Sequence, residues 1–194
     1  MRRLAPVLAL CAAILTLAPG PAGATEFSGA MEAFLRAQVR SWAQDPRLID
    51  ALREANQEHA DYDLTEIRRL DQVWLEETEQ TRQPLIDSVM SNGGSDFLRA
   101  RQAEAGGSIT EIILVDNKGL NVSATGVTSD YWQGDEAKFR ESFNQGPEGI
   151  HFGSIEYDDS TRTYQAQVTF TVNDPETNRP LGAMIVAIDG EALM

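Results

Sequence analysis

From residue 26 to about 105 the apolar positions recur at spacings of three and four, the signature of helices with one buried face. Phe27, Met31, Phe34, Leu35, Val39 and Trp42 form the first stripe. Asp45-Pro46 restarts a helix: Asp45 is placed to cap the free amides and Pro46 suits the first helical position, and Leu48, Ile49, Leu52 and Ala55 continue the apolar face. A third helix is predicted from Asp63, because Asp63-x-x-Glu66 has capping-box spacing and Ile67, Leu70, Val73 and Trp74 follow at helical intervals. Pro84 to Met90 predicts a short helical turn. Ser91-Asn92-Gly93-Gly94 reads as a loop, Ser95 as the cap of a last helix to about Ala105, and Gly106-Gly107 as its stop.

From Ile109 the period changes to two. Ile112 to Val115 is a continuous apolar strand, Asp116-Asn117-Lys118-Gly119 a turn, and Leu120, Val122 and Ala124 a return strand, which together make a hairpin. A loop through Asp130-Tyr131-Trp132-Gln133-Gly134-Asp135 leads to a short helix with Ala137, Phe139 and Phe143, for which Asp135 is a candidate cap. Ile150 to Tyr157 alternates. Tyr164, Ala166, Val168, Phe170 and Val172 share one strand face, with Gln165, Gln167, Thr169 and Thr171 on the other. Leu181 to Ile188 is apolar on both faces, as a central strand is. The pattern predicts an α+β fold: N-terminal helices packed on a five-stranded antiparallel sheet.

The first 24 residues change the picture of where the chain works. Met1-Arg2-Arg3 is a basic start, Leu4 to Leu17 an apolar run, and Ala22-Gly23-Ala24 a small-x-small cleavage pattern, so residues 1–24 read as a signal peptide removed on export. The run is too short for a membrane anchor and ends in Pro19-Gly20-Pro21. Cleavage removes Arg2, Arg3 and Cys11, leaving residues 25–194 as a single domain with 14 basic and 30 acidic residues and no cysteine. Thiol chemistry, disulfides and cysteine metal sites are thereby excluded from the mature chain, and its charge of -16 disfavours a nucleic-acid partner. The expected location is the periplasm, in soluble form.

Candidate chemistry is sparse. His59 and His151 are the only histidines, and no nucleophile elbow, zinc-protease motif or phosphate-binding loop occurs, so no catalysis, metal or cofactor is expected. Asp116-x-Lys118-Gly119 lacks the ligand spacing of a calcium loop and reads as a turn. Asp130 to Asp135 stands out because a loop carries two adjacent large aromatics and two carboxylates. Tyr131 and Trp132 either plug one edge of the core or form a pocket wall that stacks on a small ligand.

The order of elements and several strings resemble the Cache family of PAS-like extracytoplasmic sensor domains. The strings are Trp42-Ala43-Gln44-Asp45-Pro46-Arg47-Leu48-Ile49, Glu111 to Val122, Thr128 to Phe139, Tyr164 to Val168, and Leu181 to Ile188 after Asp174-Pro175. The resemblance implies a small ligand held between the sheet and the loop-helix segment that bears the aromatic pair. It places Tyr131 and Trp132 in the pocket wall with Asp130 or Asp135 as polar anchor, and His151, Tyr157, Tyr164 and Gln167 as further candidates.

The sequence stops at Met194, shortly after the last strand, without a transmembrane or output segment. The expectation is therefore a single Cache-like domain that binds a small organic solute and hands its state to a separate membrane chemoreceptor or histidine kinase. The acidic balance favours a cationic or zwitterionic solute. The alternative is a non-catalytic envelope interaction protein without a small-molecule ligand. The stripe on the first helix suits either its own sheet or a second subunit in a homodimer.

Overall fold

The computed structural model describes residues 29, 31–158 and 163–193. The segment read as a signal peptide lies outside the described residues. Residues 31–34 are α-helical and pass into a π-helix at Leu35–Val39, followed by a 3-10 turn at Trp42–Gln44. The first stripe is thus helical but not one regular helix. Met31, Leu35 and Val39 are buried in the core beside the sheet, so the stripe is used within its own chain.

Helix α1 (Pro46–Glu58) starts as the sequence predicts, with Asp45 accepting from the Arg47 amide at 3.0 Å and Pro46 at the first position. Helix α2 (Leu64–Glu77) is capped by Asp63, which accepts from the Glu66 amide at 2.9 Å. Glu66 turns its carboxylate to Arg69 instead of closing the capping box. Helix α3 (Pro84–Met90) takes its amide partner from afar: the buried Glu77 carboxylate accepts from Leu85 and Ile86. Helix α4 (Gly93–Glu104) corrects the expected cap. Asn92, not Ser95, is the cap, accepting from the Ser95 amide at 2.9 Å, while the Ser95 hydroxyl donates to the Val89 carbonyl.

Strands β1 (Ile109–Asp116), β2 (Asn121–Ala124), β3 (Ile150–Asp158), β4 (Thr163–Asn173) and β5 (Pro180–Asp189) form one antiparallel sheet in the order β2-β1-β5-β4-β3. The strand that reads as apolar on both faces, β5, is its centre. Helix α5 (Ala137–Arg140) follows β2, and Glu136 rather than Asp135 occupies its cap position.

Two apolar clusters explain why β1 and β5 carry hydrophobic residues without alternation. On one face Ile112, Leu114, Met184 and Val186 pack with Leu35, Leu48, Leu52 and Leu98. On the other, Ile113, Val115, Ala183 and Ile185 pack with Trp74, Ile86, Tyr131 and Phe139. The helices therefore divide between both faces rather than lying on one, and the sheet is the middle layer. Strand β4 keeps a polar side, with Gln165, Thr169 and Thr171 buried on it.

Candidate functional site

Register fixes which side chains of β3 and β4 stand together, because residues directly opposite across a pair share a face. His151 opposes Thr169 and Phe152 opposes Val168; on the other flank Val168 opposes Val186 and Thr169 opposes Ile185. The even face of β4, with Ala166, Val168 and Phe170, is therefore on the side of the first cluster. The odd face, with Gln165, Gln167, Thr169 and Thr171, lies on the side of the loop between β2 and β3. Thr169 is fully buried there, and its hydroxyl has no partner among the described residues.

A cavity of about 410 Å³ opens on this polar patch. Gln165, Gln167 and His151 form its floor from the sheet, and Glu136, Ala137 and Lys138 at the start of α5 form its roof. The β3–β4 register slips between Phe152 and Ile155, and Gly153 and Ser154 of that irregularity line the wall. A bulge of this kind re-aims neighbouring side chains and interrupts the ladder. Gln165 is buried.

Charges of both signs meet in the cavity. Lys138 Nζ lies 3.1 Å from Glu136 Oε2, with the lysine side chain 16% exposed. His151 Nδ1 lies 2.9 Å from Glu141 Oε2. A half-enclosed ammonium, a carboxylate, an imidazole and two amides converge on one small volume, an arrangement able to fix the orientation of a polar solute.

The structure brings together His151, Tyr157 and Gln167 of the candidates named from sequence. Tyr157 and Tyr164 oppose each other across β3 and β4, their rings 5.3 Å apart and edge to face, and both are more than half exposed. Tyr164 does not line the cavity. The aromatic loop is pinned elsewhere, by α2. Asp71 accepts from the amides of Tyr131 and Trp132 at 2.9 and 3.0 Å, and the Trp74 indole donates to the Thr128 carbonyl. Tyr131 is buried against Trp74. Trp132 forms a bridge to Leu120 and donates its indole proton to the Lys118 carbonyl at 2.9 Å. The close approach needs glycine: a Cβ on Gly119, whose φ is 82°, would collide with the backbone of Gly134.

Asp130 accepts from the side chain of the buried Gln133. Partial burial, then the nearby carboxylates of Glu136 and Asp71, raise its pKa above the ordinary range. Asp135 is exposed. Sequence reasoning passed over Glu136, Lys138 and Gln165, since charges on a short helix look like solvated surface. The available signal was the run of polar residues on the inner side of a long strand.

A second buried polar group sits at the far end of β1. Asp116 is inaccessible to solvent, accepts from the Lys118 and Leu120 amides through Oδ1, and holds His59 Nδ1 at 2.6 Å through Oδ2. The turn after β1 is built around this carboxylate. Among the described residues no group of three or more His, Cys, Asp or Glu is arranged to hold a metal, and no helix is long and apolar enough to cross a membrane.

No family model matches the chain, and no curated protein does. Solved structures do. The sensor domain of E.coli DcuS aligns with a TM-score of 0.51 at 12% identity, over 87% of this chain and 95% of that one. The sensor domain of the V. cholerae histidine kinase DctB aligns at 0.49 and 14% identity, over 87% of this chain and 54% of that one. The sensory domain of the Campylobacter jejuni chemoreceptor Tlp3 with isoleucine bound aligns at 0.40 and 12%, over 87% of this chain and 64% of that one. This chain thus spans about half the length of the DctB domain and under two thirds of the Tlp3 domain. A central antiparallel sheet ordered β2-β1-β5-β4-β3, helices on both faces and the match to the DcuS domain together show that this chain shares the fold of that domain, the α+β fold expected from the Cache resemblance.

Proposed function

We propose that this protein is an exported, non-catalytic sensor domain that takes a small zwitterionic solute into the cavity between β4 and α5. The polar inner face of β4 carries the reading. Gln165 and Gln167 present their amide groups to the cavity under Lys138 and Glu136, where a polar solute can exchange directed hydrogen bonds with them. Lys138 and the amides suit a carboxylate, and Glu136 suits an ammonium, so an amino acid or a molecule of that charge pattern fits both ends. The volume of about 410 Å³ is at the small end of ligand pockets.

The ligand-loaded domain would report to a separate membrane chemoreceptor or histidine kinase, as an accessory sensory or solute-binding protein. Thermal unfolding of the exported protein against amino acids, amines, short carboxylates and purines tests the binding step. A ligand at 100 times its Kd adds about 2.7 kcal/mol and raises Tm by several degrees. The shift should vanish in Lys138→Met and Gln167→Ala, which alter the cavity and spare the core. A panel without any shift, or a shift that survives both substitutions, rejects this site. Recovery of a receptor or kinase from solubilised membranes on the ligand-loaded protein alone tests the partner.

A further inference from the structure

We propose that a second cavity, lined by Glu54 and Glu58 of α1, two tyrosine rings and the unpaired side-chain oxygen of Asn121, binds a small organic ammonium ion. This cavity, about 320 Å³, lies at the β2 edge of the sheet, where α1 from one face meets α2 and α3 from the other. It shares no lining residue with the cavity above β4.

Its wall offers acceptors and no free donor of the stronger kind. Glu54 and Glu58 stand one helical turn apart on α1, and neither is ion-paired among the described residues. No lysine or arginine lines the space. Asn92 spends its amide nitrogen on the carbonyls of Ser88, Val89 and Val122. Asn121, 1% exposed, spends its own on Thr128 Oγ1 and the Asp130 carbonyl, which leaves its Oδ1 without any donor. A buried amide oxygen without a donor carries the full cost of its lost hydration, and a ligand N–H would relieve it. His59 Nδ1 is engaged by Asp116 and is not a free donor to this space.

The aromatic walls match a cation as well. Tyr62 and Tyr131 both line the space, Tyr62 packed on the His59 ring at 4.8 Å and Tyr131 fixed by Trp74. Rings held rigidly beside carboxylates bind ammonium groups through their faces. The local field is negative: burial raises the Tyr62 phenol, and Glu58 and Glu66 raise it further. Burial and then Asp116 raise Tyr131 in the same direction. An alkylammonium ion places its N–H groups on Asn121 and the glutamates and its chain against Leu70, Leu85 and Val122.

The test is a titration of isotopically labelled protein with n-butylammonium chloride, with sodium butyrate as the anion of equal size. The expected result is saturable binding that moves the Asn121 side-chain amide resonances, a Kd weakened about tenfold in Glu54→Gln/Glu58→Gln, and no response to butyrate at this site. Both glutamates are exposed, so the double variant should keep its Tm. Lys138→Met should leave butylammonium binding unchanged while abolishing any amino-acid shift, which separates this site from the proposed sensory one. No saturation below about 10 mM, or a Kd indifferent to the double substitution, would overturn the proposal. Loss of binding in Lys138→Met would overturn it too, by placing the cation in the other cavity.

Discussion

The ring of Tyr131 stacks on that of Trp74, centroids 5.5 Å apart and planes inclined by 25°, within the apolar cluster that covers the β5 centre of the sheet. Trp74 is fully buried and Tyr131 is 3% exposed. Tyr131 therefore has a packing role whatever else its edge touches. Tyr131→Ala should cost about 3 to 5 kcal/mol, and Tyr131→Phe, which keeps the stacked ring, under about 1.5 kcal/mol. Urea unfolding of the two variants measures both. Equal, small losses would mean that the ring pair adds little to the core.

Gly182 of β5 makes the second packing prediction. It sits opposite Asp116 of β1 and Val172 of β4, and a Cβ there would strike the Val115 carbonyl and lie 2.9 Å from Leu52 Cδ2. The crowded partner is strand backbone, which cannot swing aside. Gly182→Ala should cost about 2 kcal/mol or more and lower Tm by about 5 °C. Gly93, the first residue of α4, has open space around its Cα, so Gly93→Ala should be neutral or stabilise by up to about 1 kcal/mol. Melting curves that fail to separate the two variants would contradict this account of the β1–β5 contact.

The sheet was legible in the sequence because its signals are local. The alternation of Tyr164 to Val172 names the faces of β4, and the unbroken apolar run of β5 identifies the central strand. Helix starts at Asp45 and Asp63 were legible for the same reason, since a cap and the amides it serves lie within three residues. What escaped depends on distant partners. Asn92 caps α4 in place of Ser95 because it is also held by Val122 and Ser123 of β2, about thirty residues away. The Asp116–His59 pair spans 57 residues, and the turn that resembled a poor calcium loop is organised by that contact. Of the loop between β2 and β3, the cavity above β4 is lined by Glu136, Ala137 and Lys138, where the chain passes over the polar side of β4. A polar strand face is silent, in sequence, about whether it meets water or an enclosed space.

Arg53 and Asp174 supply the pH prediction. Arg53 of α1 donates through Nε and a terminal nitrogen to Asp174 Oδ2, at 3.0 and 2.7 Å, and ties the helix to the β4–β5 turn. Asp174 Oδ1 accepts from the amides of Glu176 and Thr177 in that turn. The Arg53 guanidinium, joined by these amides, holds the carboxyl down to about 2. A folded-state pKa below the unfolded value near 4 means a stabilisation present above pH 4 and lost as pH falls through about 2. Arg53→Gln removes the larger part of this preference. The Tm of the variant should therefore lie below that of the parent at pH 6, and the gap should narrow steadily between about pH 4 and pH 2. Raising the salt concentration at pH 6 should close only part of the gap, because the pair is held by directed hydrogen bonds as well as by charge. A gap independent of pH over that range would show that Arg53 acts through packing alone. A gap that widens on acidification would reverse the sign and remove Asp174 as its cause.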